Sequence, residues 1–137
     1  MNAEIFTLCD YAADYGQGKL NVIGTFDQIN APTLPFSLPQ CAVAARLRIG
    51  NHEAGKHRFE IRFLDSDGES FQNSISGDLD VKPNQYADYT SINIPINIAG
   101  MTFKKQGKHG IELYWEDEFV SGLTLNVVHV QAPAQPR

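Results

Sequence analysis

Residues 3–29 read AEIFTLCDYAADYGQGKLNVIGTFDQI, and this stretch decides the fold. Two apolar runs, at residues 5–9 and 20–26, flank a polar segment that contains two Asp-Tyr pairs and a Gly-Gln-Gly-Lys turn. Short apolar runs separated by turn residues are typical of neighbouring strands. We therefore predict two paired strands that start a sheet, with an exposed loop from Asp10 to Lys19 between them.

The apolar side chains of these two strands are predicted to enter the core, because they recur at the spacing of one strand face. They are Phe6, Leu8, Leu20, Val22 and Phe26. Gly24 interrupts the second run, and an isolated glycine within a strand pattern indicates a bulge.

Alternating runs continue after the opening pair. Residues 41–49 place apolar side chains at the odd positions and two arginines at even positions, and residues 57–63 alternate in the same way. Such alternation is typical of half-buried strands. If the two runs pair as a hairpin, residues on the same face oppose one another, and Arg46 lies opposite Glu60.

Turn residues and prolines separate the strands. Asp65-Ser-Asp-Gly68 predicts a hairpin turn, because aspartate side chains bond turn amides and glycine accepts a positive φ. Three prolines in residues 31–40 predict a crossing loop or an edge segment, and Pro95 places its isoleucine-rich strand at a sheet edge or a bulge. Residues 99–110 are predicted to be a connection, and residues 111–130 a final hairpin.

The fold class follows from the repeated strand pattern. No long run of residues keeps the helical period, whereas alternating segments bounded by turn residues recur along the chain. We predict an all-β fold, an antiparallel Greek-key β-sandwich of about eight strands with an immunoglobulin-like or C2-like topology. Residues 1–130 are predicted to form a single domain, and residues 131–137 a disordered C-terminal tail.

The charge of the chain limits its partners. The 137 residues carry a net charge of −5, which disfavours binding to nucleic acid or to an anionic membrane surface. The N-terminal MNAEIFTL lacks the basic start and the continuous apolar core of a signal peptide. We expect a cytoplasmic protein. Cys9 and Cys41 allow a pairing across a sheet, but a reducing cytoplasm favours two buried free thiols.

Exposed tyrosines and carboxylates are the best candidates for a binding surface. Tyrosines at strand ends and loops stack on a sugar, a base or a partner's side chain. Trp115, in contrast, has the same phase as Ile111 and Leu113 and is predicted to lie in the core. The candidate binding residues, predicted at one end of the sandwich, are Asp10, Tyr11, Asp14, Tyr15 and Tyr86.

No stretch of the sequence indicates a reaction. The glycine-containing turn at residues 16–19 lacks the Ser or Thr and the following helix of a phosphate-binding loop. Residues 65–69 match part of a calcium loop, but turn chemistry accounts for them. The four histidines have no metal-binding spacing. We therefore assign no catalytic residue, no metal ligand and no cofactor.

The opening segment resembles a known family. Residues 3–12 read AEIFTLCDYA and residues 18–27 read GKLNVIGTFD, a pattern that resembles an uncharacterised bacterial family described as a domain of unknown function. The resemblance extends to Gly68 and, less specifically, to Phe103 and the strand after it. It implies a small bacterial, cytoplasmic protein, and it brings no catalytic residues with it.

Two classes of function stay open on this basis. The leading hypothesis is a noncatalytic interaction module with a protein partner, because exposed tyrosines lie on a β frame that lacks a reactive constellation. The alternative is a domain that binds a small ligand or a carbohydrate, with hydrolysis as a less favoured third. Self-association as a homo-oligomer also stays open, because unprotected strand edges can pair with a second copy.

Overall fold

Nine strands follow one another in the computed structural model, which describes residues 1–131. The predicted all-β class is confirmed, and the strand count exceeds the prediction by one. The predicted disordered tail falls on residues 132–137, which lie outside the described residues, except for Gln131. The strands are β1 (Asn2–Asp14), β2 (Leu20–Thr25), β3 (Gln28–Ala31), β4 (Phe36–Gly50), β5 (Gly55–Leu64), β6 (Ser70–Val81), β7 (Tyr89–Phe103), β8 (Gly107–Trp115) and β9 (Glu118–His129).

The strands form two sheets. The first sheet has the order β2-β1-β4-β7, and the second sheet has the order β3-β9-β8-β5-β6. Neighbouring strands are antiparallel except for β3 and β9, which are parallel. The strand missed by the sequence prediction is β3. Its four residues are too few for alternation to distinguish a strand from a loop.

Side chains from both sheets meet in one main core. The odd positions of β4, from Cys41 to Ile49, all lie in it, as their alternation predicts. Leu8 and Trp115 are buried there too, and Phe6 and Phe26 pack against it, which confirms four further predictions. The largest fully buried side chains are Phe63, Phe103, Leu47, Ile49, Ile61 and Met101.

The predicted hairpin between residues 41–49 and 57–63 is wrong. Strand β4 lies between β1 and β7 in the first sheet, whereas β5 lies between β8 and β6 in the second sheet. Residues 51–54, which include one turn of 3-10 helix, carry the chain across. Arg46 therefore lies opposite Asn93 of β7, not opposite Glu60. Alternation shows which face of a strand is apolar, but it is the same whichever strand is the neighbour.

The Asp65–Gly68 turn joins β5 and β6 as predicted. The Asp65 Oδ1 atom accepts hydrogen bonds from the amides of Asp67, at 2.9 Å, and Glu69, at 3.0 Å. Gly68 has a φ of +79°, which favours glycine. The final hairpin is also confirmed, because β8 and β9 pair with each other through a turn at residues 116–117.

The two proline predictions are confirmed, but the predicted 99–110 connection is wrong. Residues 32–35 carry the chain from β3 in the second sheet to β4 in the first, and Pro95 lies in β7 at the edge of the first sheet. Strand β7 continues to Phe103, so the connection to β8 spans only residues 104–106. Glycine and lysine residues had suggested a loop there, but pairing with the start of β4 keeps residues 99–103 extended.

The end of the β1–β2 hairpin folds over the outer face of the first sheet. Pairing of β1 with β4 stops at Cys9 opposite Ala42, while pairing with β2 continues to Asp14. Beyond Cys9, the Ala12 amide donates to Asn97 Oδ1 at 3.3 Å, and Asn97 Nδ2 donates to the Ala12 carbonyl at 2.8 Å. Asn97 lies opposite Ala42 on β7, so the hairpin crosses the back of the sheet.

This contact creates a second, smaller core. Its fully buried members are Cys9, Ala12, Ala42 and Ala44. Leu20 and Val22 pack against these residues rather than entering the main core as predicted, because the folded-over hairpin turns its apolar face to the outer surface of β4. Small side chains let the two layers approach closely.

The segment from Asp10 to Asp14 is part of β1, so the predicted exposed loop is shortened to the turn at residues 15–19. The predicted bulge at Gly24 is also absent, since the β1–β2 register passes it without a shift. Glycine is nevertheless required there. Gly24 has a φ of +70°, and a Cβ atom would lie 2.4 Å from Asp10 Oδ2.

The two cysteines lie on opposite faces of the first sheet. Cys9 belongs to the smaller core on the outer face, and Cys41 belongs to the main core between the sheets. Both are free and buried, as predicted. The backbone of β4 separates the two side chains, because consecutive residues 41 and 42 point to opposite faces and Cys9 is opposite Ala42.

Candidate functional site

A polar clamp holds the tip of the β1–β2 hairpin on the sheet. Asn93 Nδ2 donates to Asp14 Oδ2 at 2.9 Å, and Arg46 donates to Asn93 Oδ1 at 2.7 Å and to the Gly18 carbonyl at 3.2 Å. The Asn93 hydrogen bond is the main cause of a lowered pKa for Asp14. Asp14 is thus committed to the clamp, whereas Asp10 stays exposed beside Gly24.

Apolar side chains line the outward surface of this clamped hairpin. Tyr11 and Ile23 are directly opposed across β1 and β2, and they are 39% and 56% exposed. Tyr15, in the adjoining turn, is also exposed. We call Tyr11, Tyr15 and Ile23 the hairpin face. Ile23 was not among the sequence candidates, although an isoleucine out of phase with Leu20 and Val22 is the signal that could have identified it.

Tyr86 lies on a different part of the surface. It is 93% exposed in the loop between β6 and β7. Asn51 orders that loop by donating to the carbonyls of Asn84, at 3.0 Å, and Ala87, at 2.9 Å. Within residues 1–131, no hydrogen bond or aromatic contact joins Tyr86 to the hairpin face. The structure thus groups four of the five sequence candidates on one hairpin and places Tyr86 separately.

A shallow cleft of about 420 Å³ lies between β5 and β6 and contains His57. Both ring nitrogens face acceptors: Nδ1 is 2.8 Å from Glu116 Oε1, and Nε2 is 2.5 Å from the Glu53 carbonyl. The ring also stacks on Trp115 with centroids 4.8 Å apart. The Glu53 carbonyl is the largest cause of the raised pKa of His57, and Glu116 adds to it. Two acceptors favour an imidazolium ion that supports the structure, and leave no ring nitrogen free to take a substrate proton.

We expect the free energy of unfolding to fall as the pH rises through the folded-state pKa of His57. That pKa lies above the ordinary value of 6.5, so the folded chain holds the proton more tightly than the unfolded chain. The resulting stabilisation is complete below the unfolded-state pKa and is lost as the pH rises through the folded-state pKa. Urea unfolding from about pH 5 to about pH 9 measures it.

The matched variants for this experiment are His57→Gln and His52→Gln. His52 is largely exposed on the neighbouring 3-10 turn, so its replacement should leave the pH dependence nearly unchanged. The His57 variant should lose the decline above neutral pH. An unchanged decline in that variant would show that another group is responsible.

A second cleft, of about 380 Å³, lies where the Asp65–Gly68 turn meets the connection from β7 to β8. We call it the His109 cleft, after the imidazole that contributes to its wall. His109 is 1% exposed, and its Nε2 atom has no hydrogen-bond partner. Sequence reasoning did not select His109. Its alternation with Ile111 and Leu113 gives it the phase of a core residue, which is the available signal.

The chemistry of the described residues favours binding over catalysis. Burial raises the pKa of the Cys41 thiol to about 11 and also raises that of Cys9, so neither supplies a thiolate at neutral pH. Burial alone raises the pKa of Asp65, but the Glu69 and Asp67 amides and Lys105 leave it lowered overall. In residues 1–131, no three His, Cys, Asp or Glu side chains gather as metal ligands would.

A comparison with protein families identifies the chain. Residues 4–128 match a family described as "Family of unknown function (DUF6941)". The chain belongs to this family. The DUF6941 match covers both opening strands and continues into β9, which confirms the resemblance of the opening segment to an uncharacterised domain. No curated protein and no solved structure matches the chain.

One further property concerns membranes. Among residues 1–131, no helix has the length and apolar character that crossing a bilayer requires.

Proposed function

We propose that this DUF6941 chain is a noncatalytic interaction module that binds a protein partner through the hairpin face. The observation that carries the proposal is the directly opposed pair of Tyr11 and Ile23, both exposed on a hairpin that is clamped to the sheet. Aromatic and aliphatic side chains are the usual anchors of protein interfaces. A clamped backbone loses little conformational entropy on binding, which favours affinity.

The position of the hairpin face suggests what kind of partner fits it. Strand β2 is an edge strand whose one neighbour in the first sheet is β1. An extended segment of a partner can add to such an edge through its main chain while its apolar side chains contact Ile23 and Tyr11. Asp10 lies beside this edge, and the chain carries a net charge of −5, so we expect basic residues around the partner's apolar anchor.

Site-specific photocrosslinking in the native host tests the proposal. Benzoylphenylalanine at position 11 or 23 should yield one discrete adduct with a different protein, because both positions face the partner. The same group at position 86 or 119 should not, since Tyr86 and Phe119 are equally exposed but lie away from the hairpin face. With the partner identified, Tyr11→Ser with Ile23→Ser should weaken its binding by roughly 10- to 100-fold.

Three outcomes would contradict this proposal. Folded protein without adducts at positions 11 and 23 would show that the hairpin face is not an interface. Equal adducts at all four positions would show nonspecific contact. An adduct with a second copy of the chain, together with a dimer in light scattering, would replace the protein partner by self-association.

In this proposal the two sheets form a Greek-key sandwich of the immunoglobulin-like or C2-like kind, working in the bacterial cytoplasm. Five connections between β2 and β8 cross from one sheet to the other, which supports such a topology. The free cysteines support a reducing compartment. The net charge of −5 supports a partner other than nucleic acid or a membrane.

A further inference from the structure

We propose that the His109 cleft binds a small neutral polyol of the size of a monosaccharide, with one ligand hydroxyl donating a hydrogen bond to His109 Nε2. The cleft volume of about 380 Å³ lies in the range of small-molecule sites. The cleft lies in the second sheet, away from the hairpin face, so this inference is independent of the proposed protein interface.

The strongest observation is the unpartnered nitrogen. His109 Nδ1 lies 3.1 Å from the Gly107 carbonyl, a contact in which the ring N–H donates. In the neutral ring, Nε2 is then left with an acceptor lone pair. This atom is buried and has no partner among the described residues. Buried polar atoms without partners are rare in folded proteins, and a ligand hydroxyl would satisfy this one.

The surrounding aromatic rings position the imidazole and supply an apolar surface. Phe71 and Phe103 pack against His109 with their planes at 82° and 76° to its ring, and their centroids lie 5.0 and 5.5 Å away. The rings restrict rotation of the imidazole, so Nε2 keeps its direction. Phe71 also lines the cleft, where its face can pack against the C–H groups of a sugar ring.

The charges lining the cleft favour a neutral ligand. Lys105 lies 3.3 Å from Asp65, so these two residues neutralise each other. Lys104 and Glu69 contribute one further charge of each sign. Within residues 1–131, the Glu69 carboxylate makes no hydrogen bond or ion pair, and is available to accept from a ligand hydroxyl. Ser70 and Thr102 add hydroxyl groups to the same wall.

Nuclear magnetic resonance of the imidazole nitrogens tests the proposal directly. Full-length protein with ¹⁵N-labelled histidine is titrated with glucose, galactose, myo-inositol and glycerol, and with inorganic phosphate as a charged probe. We expect at least one polyol to shift the His109 Nε2 resonance saturably, while His57 stays unchanged. Glu69→Gln should weaken that polyol by about 10-fold, because a neutral amide is a poorer acceptor for a hydroxyl.

A second variant separates ligand binding from packing. His109→Phe keeps an aromatic ring but removes the buried acceptor, so it should abolish polyol binding without lowering the melting temperature. His57→Phe is the matched control, since it changes the other packed imidazole and should leave polyol binding intact. If His109→Phe fails to fold, the wild-type titration and Glu69→Gln still decide. The proposal is overturned if no polyol shifts Nε2 saturably, if phosphate alone does so, or if His109→Phe binds as well as wild type.

Discussion

Replacing Ala42 by leucine is expected to lower the free energy of unfolding by about 1–3 kcal/mol, or more if the hairpin detaches. Ala42 is fully buried between Cys9 and Asn97, and Asn97 holds Ala12 across it. Three added carbon atoms cannot fit without moving the hairpin away from the sheet. The change in size should therefore break the contact that keeps the hairpin folded over.

Urea unfolding and limited proteolysis measure these two effects. The variant should unfold at a lower urea concentration, and trypsin should cut faster after Lys19, which lies in the turn at the tip of the hairpin. The matched control is Ala99→Leu, which makes the same change at an exposed position of β7 and should stay within about 0.5 kcal/mol of wild type. Equal losses in both variants would argue against the close packing inferred for Ala42.

The second large effect is expected for Phe103→Ala, which should destabilise the protein by about 3–5 kcal/mol. Phe103 is fully buried and contacts both Phe71, with centroids 5.2 Å apart, and His109. Removing its ring leaves a cavity beneath the His109 cleft, because the neighbouring strands of two sheets cannot close around it. The loss of contacts adds to the cost of exposing apolar surface.

Phe119→Ala is the matched control for this truncation. Phe119 is 57% exposed on β9 and packs edge-on against Tyr114, so its loss should cost less than about 1 kcal/mol. Chemical unfolding of the two variants measures the difference. A loss for Phe103→Ala no larger than that for Phe119→Ala would mean that the aromatic cluster under the cleft is not tightly packed.

The two substitutions probe the supports of the two proposed surfaces separately. Ala42 lies under the hairpin face, and Phe103 lies under the His109 cleft. The hairpin face depends on close approach of small side chains on the outside of the first sheet. The cleft depends on aromatic packing where the two sheets meet. Damage to one surface should therefore leave ligand or partner binding at the other intact, provided that the variant stays folded.

Part of the candidate site was predictable because it depends on short stretches of chain. Tyr11 and Tyr15 were selected from their place in the opening segment, and both are exposed. Ile23 was missed because an apolar residue in a strand is normally assigned to the core. The alanines of β4 did hold a usable signal. Small apolar residues at 42 and 44, between the core positions, are typical of a strand buried on both faces.

The sequence by itself determined most strands, the apolar face of each and the turns at Asp65–Gly68 and residues 116–117. These features depend on side-chain alternation and turn chemistry within a few neighbouring residues. Only the tertiary structure decided that β4 and β5 lie in different sheets, that the opening hairpin folds over β4, and that His109 is enclosed beside a cleft. Such features depend on contacts between distant residues, such as Ala12 with Asn97, 85 positions apart. Alternation is blind to them because it is the same for every choice of neighbouring strand.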